Sequence, residues 1–298
     1  MSKRTQKKGL RRIAEYAVFV LPVLVFLVFV ELMPFINGIR YSLTDWNGLS
    51  QTSAYVGLEN FFAALDPGGK FWSTLIITVR FVIVIVPVCN VSALLLANLL
   101  NNRYIKTRNF ARVVLFAPSV ISSVITVFLW QYTFSNTFGA LSGFLHWDLL
   151  NASWLGDPKM AVISIIIVSV WSSMGYLMLI YLAGLQSIDT ATIEAAIIDG
   201  VSPWQMLLFI KLPMLMGVVA VCLFISLSGT FRMFDLPWIL TNGGPAGATT
   251  TISVDIFQDG FSRRSFGLGT AKSLILFAIV MIVTLLQLNI TKKKEVQL

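Results

Sequence analysis

Six stretches of this chain are each apolar over about the 20 residues that a bilayer-spanning helix needs. They run from Ile13 to Phe35, Leu75 to Leu100, Val113 to Phe134, Met160 to Gly184, Met214 to Leu240 and Gly269 to Ile290. In hydrocarbon no water satisfies a backbone N–H or C=O, so each stretch closes its own hydrogen bonds as a helix. Charged residues make up 12% of the chain and hydrophobic residues 56%, against about 25% charged in a soluble domain. The expectation is an all-α integral membrane protein of six transmembrane helices, forming a single domain over residues 1–298. The run from Ile13 is longer than the apolar core of a signal peptide and lacks a small-residue exit, so it reads as an uncleaved first helix.

The net charge of +8 reflects topology rather than a nucleic-acid surface. Lys3, Arg4, Lys7, Lys8, Arg11 and Arg12 form a basic tail over residues 1–12. Arg103, Lys106, Arg108 and Arg112 sit between the second and third stretches, and Lys292, Lys293 and Lys294 close the chain. Alternating helices put all three clusters on one side, while the opposite loops carry the sparser Arg40, Lys70, Lys159, Arg263 and Arg264. The positive-inside rule therefore predicts cytoplasmic N- and C-termini, with residues 184–213 forming a cytoplasmic loop. The outer loops carry turn signals, Asp45-Trp46-Asn47-Gly48 and Asn242-Gly243-Gly244-Pro245 among them, and a short amphipathic run from Leu58 to Leu65.

The 184–213 loop has the strongest local grammar. Asp189 is placed to cap a helix ending near Asp199, Gly200 to terminate it in a left-handed turn, and Ser202 to cap a second helix with Pro203 at its first position. The first piece, at about 15 Å, is half a bilayer and cannot span. Ala195 and Ala196 offer a surface of close approach, Ile193 and Ile197 apolar flanks, and Glu194 a carboxylate for an arginine. An ordinary lipid-surface helix carries lysine and arginine on its polar face. This one is acidic, which points to a protein partner.

No phosphate-cradling G-x-x-x-x-G-K-[ST] occurs, and the sole histidine, His146, has no metal-ligand partners at useful spacing. Cys89 and Cys222 lie inside apolar stretches as packing residues. No catalytic, cofactor or metal site is expected, and the chain reads as a non-enzyme. Among polar residues within the stretches, Arg80, Asn90, Gln131, Arg232 and Asp235 stand out. Arg232 and Asp235, three apart on one helix face, can pair locally or, being within a turn or two of the outer end, snorkel to it.

The spacing E-A-A-x-x-x-G-x9-I-x-L-P, met at Glu194, Ala195, Ala196, Gly200, Ile210, Leu212 and Pro213, resembles the signature loop of binding-protein-dependent ABC importer permeases. Ser42-Leu43-Thr44-Asp45-Trp46, Gly57-Leu58-Glu59-Asn60-Phe61, Leu182-Ala183-Gly184-Leu185-Gln186, Phe234-Asp235 and Leu240-Thr241-Asn242-Gly243-Gly244-Pro245 are similar to its carbohydrate-uptake branch, the maltose, glycerol-phosphate and multiple-sugar permeases. The resemblance implies a fold of the type I ABC importer kind in a bacterial cytoplasmic membrane. It implies that Glu194, Ala195, Ala196, Asp199, Gly200, Ile210, Leu212 and Pro213 dock an ATPase through a coupling helix. The implied partners are a second permease subunit, two ABC ATPase subunits that bind the ATP, an extracytoplasmic solute-binding protein, a sugar and membrane lipid, with no nucleic acid. For a sugar path, Trp130, Trp171, Tyr176, Arg232, Phe234 and Asp235 are the candidates, offering aromatic faces and hydrogen-bonding groups. The alternative is an ion-coupled secondary transporter, which calls for paired broken helices; the sequence offers no matched pair.

Overall fold

The computed structural model describes residues 18–102 and 104–293. Lys3, Arg4, Lys7, Lys8, Arg11, Arg12, Ile13, Arg103 and Lys294 lie outside the described residues. Two compact units are distinguished: one of residues up to Asp66 together with Ile256–Ile275, the other of Pro67–Asp255 with Leu276 onward. All the regular elements described are helical, and extended pairing is confined to one isolated bridge, Thr44 with Tyr55.

In the first unit, α1 (Val18–Ser42) is a span of 25 residues with a π turn over Val28–Leu32. A short helix, α2 (Glu59–Leu65), follows, where the amphipathic run predicts one. The Ser42–Trp46 and Gly57–Phe61 motifs hold each other. The Asn60 amide donates to the carbonyls of Ser42 (2.9 Å) and Thr44 (2.8 Å), tying the end of α1 to the start of α2. The Trp46 ring stacks on Tyr41 at 4.2 Å and meets Phe266 edge-on at 5.0 Å. Asp259, almost fully buried, is matched by two cations, Lys272 at 2.6 Å and Arg263. That pairing offsets the desolvation of the carboxylate.

The second unit is built on two long helices, α3 (Lys70–Leu100) and, further along, α6 (Pro158–Ser187). Between them α4 (Arg108–Val120) and α5 (Ser123–Leu145) form one apolar passage bent by 101°. The bend has a local cause: Ile121 and Ser122 are extended, with ψ of 136° and 139°, just after Pro118 in the last turn of α4. Beyond α6 come α7 (Thr190–Ile198), α8 (Pro203–Met214) and α9 (Met216–Phe231). The last two are bent by 80° at Leu215, two residues after Pro213. Then follow α10 (Asp235–Thr241), α11 (Ile252–Phe257) and α12 (Phe266–Lys292), the last beginning in the first unit and ending in the second.

Among the described residues, the first, second, fourth and sixth stretches run as single long helices and the third as a bent pair, whereas the fifth is bent at its entry at Leu215 and is interrupted between Phe231 and Asp235 rather than running to Leu240 as one helix. Two further expectations change. The third stretch does not cross as one rod, and its helical path continues to Leu145 rather than ending at Phe134. Broken segments do occur as a pair, so their supposed absence no longer counts against a secondary transporter. Proline alone does not locate the breaks, because α3 continues through Pro87.

Close approach of backbones organises the second unit. A Cβ added at Gly175 on α6 would lie 2.0 Å from the carbonyl oxygen of Leu115 on α4, so only glycine permits that crossing. Below it, Ala93, Ala97, Met178, Leu185 and Leu215 pack into the main apolar core. The turn at Asn242–Pro245 is closed by threonines: Thr249 Oγ1 donates to Gly244 O at 2.8 Å and Thr250 Oγ1 to Gly243 O at 2.8 Å.

Candidate functional site

The 189–213 loop folds by its own local chemistry. The Asp189 carboxylate accepts from the Ala191 N–H at 3.2 Å and starts α7. At the other end the Gly200 N–H donates to Ile197 O and the Val201 N–H to Ala196 O, both at 3.1 Å. With Gly200 at φ 75°, this is a complete Schellman termination. Ser202 and Gln205 then cap each other reciprocally at 3.4 and 3.0 Å with Pro203 between them, a capping box that opens α8.

Of the eight residues expected to dock, Glu194, Ala195, Asp199 and Gly200 are exposed. The Glu194 carboxylate has no hydrogen-bond or ion-pair partner among the described residues. Ala196 differs: it is 7% exposed and faces the chain's own packing. Ile210, Leu212 and Pro213 are half-buried and hold the loop to its helices. Exposed apolar surface on the loop comes from Ile197 (63% exposed) and from residues absent from the expected set, among them Ile198 (85%), Phe209 (74%) and Trp204 (64%). Their signal was present in sequence, as large apolar residues on either side of a polar turn. Met206 and Leu207 are buried, and Lys211 Nζ donates to Asn98 Oδ1 on α3 at 2.8 Å. The loop is thus bonded directly to a spanning helix.

The second feature is an open cavity of about 580 Å³ bordered by α3, both halves of the α4–α5 bend, α6 and the α9–α10 break, a size ordinary for small-molecule sites. Of the six residues named as path candidates, Tyr176, Arg232, Phe234 and Asp235 line it. Trp130 and Trp171 do not. They pack edge to face at 5.5 Å in an aromatic cluster that continues through Phe134 to Trp154. Arg232 and Asp235 reach the cavity separately rather than as a pair, because α9 ends at Phe231 and α10 starts at Asp235. The Arg232 Nε donates to Ser228 O at 3.1 Å, while Asp235 accepts from Ser123 Oγ at 2.8 Å, across the α4–α5 bend. One free guanidinium edge and one carboxylate thus face a small volume from opposite sides of a helix break.

Most of the remaining polar lining consists of hydroxyls, a feature the sequence reading passed over. Ser169, Ser172, Ser173 and Tyr176 on α6 recur at i, i+3, i+4 and i+7, and Ser226 and Thr230 on α9 at i and i+4. That spacing places each set on one helix face, a legible signal in otherwise apolar stretches. The Ser172 hydroxyl is buried without a hydrogen-bond partner. A wall of this kind offers many neutral donors and acceptors and little net charge.

A family model described as "Binding-protein-dependent transport system inner membrane component" matches residues 90–296. The chain is 37% identical over 283 residues to the probable starch degradation products transport system permease protein AmyD of Thermoanaerobacterium thermosulfurigenes, covering 95% of this chain and 96% of the relative. It is 32% identical to the trehalose/maltose transport system permease protein MalF of Thermococcus litoralis, covering 91% of each. It is 30% identical to the multiple sugar-binding transport system permease protein MsmF of Streptococcus mutans, over 98% of this chain and 100% of the relative. In fold it is similar to a chain of a bacterial ABC transporter that imports the acidic polysaccharide alginate, with a TM-score of 0.81 at 24% identity over 98% of this chain and 99% of the other.

Proposed function

The chain belongs to the binding-protein-dependent transport system inner membrane components, as a multi-pass permease subunit of an ABC importer, and we propose that its cavity passes a sugar or oligosaccharide. The observation that carries the cargo assignment is the hydroxyl stripe of α6 facing α9 across the cavity. A sugar exchanges many water hydrogen bonds for protein ones and would leave few groups unpaired there. Tyr176 and Phe234 add ring faces to the same wall, and the names of the relatives point the same way.

In this reading the chain itself is not catalytic. ATP is bound and hydrolysed by two separate ATPase subunits, one of which sits on the exposed Glu194–Asp199 surface with Ile197, Ile198 and Trp204. A second permease subunit completes the pathway, and an extracytoplasmic binding protein delivers solute from the side of Asp45 and Gly244. Both termini and the 189–213 loop face the cytoplasm, by the cation distribution. Alternating access follows when movement of the loop is passed to α3 through Lys211 and Asn98.

Competitive uptake into proteoliposomes bearing the assembled complex and its binding protein tests the cargo. Saturable uptake of a labelled neutral oligosaccharide, blocked by Ser173→Trp, is the expected result. Uptake restricted to amino acids, peptides or inorganic ions would overturn the assignment.

A further inference from the structure

Beneath the cavity lies a buried polar cluster that the docking loop and the cavity lining leave unexplained. Asn90, 7% exposed in the middle of α3, joins three helices. Its Oδ1 accepts from the Tyr181 hydroxyl on α6 at 2.9 Å, and its Nδ2 donates to Ser226 Oγ on α9 at 2.9 Å. Ser226 in turn donates to Cys222 O at 2.8 Å. These bonds close over separations of 91 and 136 residues, so nothing local requires them.

Their position gives them a role. On α3 the cavity lining ends at Cys89, and Asn90 is next. On α6 it ends at Leu177, and Tyr181 lies one turn further on toward the 189–213 loop. On α9, which runs the other way, it begins at Ile225 and Ser226. The three polar side chains therefore meet at the end of the cavity nearest the loop. Past them, Ala93, Ala97, Leu182, Leu185, Leu215 and Cys222 fill the space as dry core. A second bond lies further along the same helix: Asn98, held by Lys211 of the loop, follows Asn90 by eight residues, about 12 Å along α3.

We propose that Tyr181, Asn90 and Ser226 are the inner gate of the cavity, a hydrogen-bonded floor that opens when movement of the 189–213 loop reaches α3 through Lys211 and Asn98. It rests on the reading of the cavity as the solute path. Hydrogen bonding suits such a gate because parting the helices would leave Asn90 only the bond from its Nδ2 to Val86 O on its own helix, at 2.8 Å, with its Oδ1 and one amide N–H unpaired in a dry surrounding, which is costly. The Tyr181 hydroxyl and Asn90 amide are positioning groups: they act on helix spacing and need not touch the solute.

Cys89 reports on the gate directly. It borders the cavity, is 1% exposed and adjoins Asn90, and Cys222 is the chain's only other cysteine. In a Cys222→Ala background, which adds no hydroxyl beside Tyr181, the assembled complex in proteoliposomes is treated with a charged maleimide from the side of the 189–213 loop, and Cys89 alkylation is followed by mass spectrometry. Tyr181→Phe, which keeps the ring and loses the hydroxyl, is expected to speed alkylation at least tenfold and to raise ATP hydrolysis in the absence of solute. Ser226→Ala should do the same, whereas Lys211→Met should leave Cys89 protected and lower stimulated hydrolysis. Protection of Cys89 in both gate variants, with the complex monodisperse and Ser173→Trp still blocking uptake, overturns the gate alone. Undiminished uptake with Ser173→Trp overturns the cavity reading on which it rests.

Discussion

Gly200 gives the cleanest test of the loop, because its structure separates backbone cost from crowding. Its φ is 75°, yet a Cβ added there meets no atom within 4 Å. Substitution thus costs only the left-handed backbone, about 1–2 kcal/mol for alanine. Asparagine visits that region more readily and should cost less, while valine, branched at Cβ, should cost more. A cost of about 1.4 kcal/mol is a tenfold change in equilibrium, so Gly200→Ala should lower the equilibrium constant for the docking-competent loop shape by about 5- to 30-fold. The assay is ATPase recovery with affinity-purified permease, together with solute-stimulated hydrolysis. The expected order of loss is Asn, then Ala, then Val, with membrane insertion unaffected. Normal recovery and normal hydrolysis with Gly200→Val would refute the assigned role of the turn. Asparagine as damaging as alanine would refute the backbone argument and point to contact with the partner instead.

Glu194→Ala should lower stimulated hydrolysis and uptake together by more than tenfold, since truncating one member of a desolvated pair costs about 2–5 kcal/mol; Asp199→Ala, at the helix end, should cost less, and equal rates for Glu194→Ala and wild type would remove the contact. Gly175→Ala must displace a helix backbone at 2.0 Å, an overpacking cost of about 1–3 kcal/mol that should lower the thermal midpoint of the purified complex; an unchanged midpoint would show that α4 and α6 yield freely. An engineered cysteine at 194 should resist impermeant reagent added outside sealed cells while one at 45 reacts, and the reverse pattern would invert the topology.

What the sequence made legible was what depends on neighbours in the chain. Asp189, Gly200 and Ser202 each satisfy backbone groups within a few residues, so the cap, stop and cap of the loop can be read without knowing the fold. The six apolar stretches are legible for a similar reason, since length and hydropathy alone require a helix in lipid. The bends escape this reading because hydropathy carries no direction. Pro118 and Pro213 sit beside breaks, Pro87 sits inside an unbroken helix, and only the packing of neighbours distinguishes them. The same limit explains Arg232 and Asp235, whose spacing of three implies one helix face only while the helix runs on. Ala196 faces inward, which its neighbours in the chain do not disclose, because the side of α7 that meets the protein is set by packing. Asn90 could be marked as an intramembrane polar residue, but its partners lie 91 and 136 residues away. The hydroxyl stripe from Ser169 to Tyr176 repeats at helical period and is legible from the sequence alone.

The central claim is that the chain passes solute by movement imposed on its 189–213 loop by a separate ATPase. The most direct measurement is labelled oligosaccharide uptake into proteoliposomes holding the assembled complex, with binding protein outside, ATP trapped inside, and sodium and proton gradients imposed or collapsed at will. The account predicts uptake that requires both ATP and binding protein, persists with every ion gradient collapsed, and falls at least tenfold with Glu194→Ala. Uptake that proceeds without ATP and follows an ion gradient would contradict it.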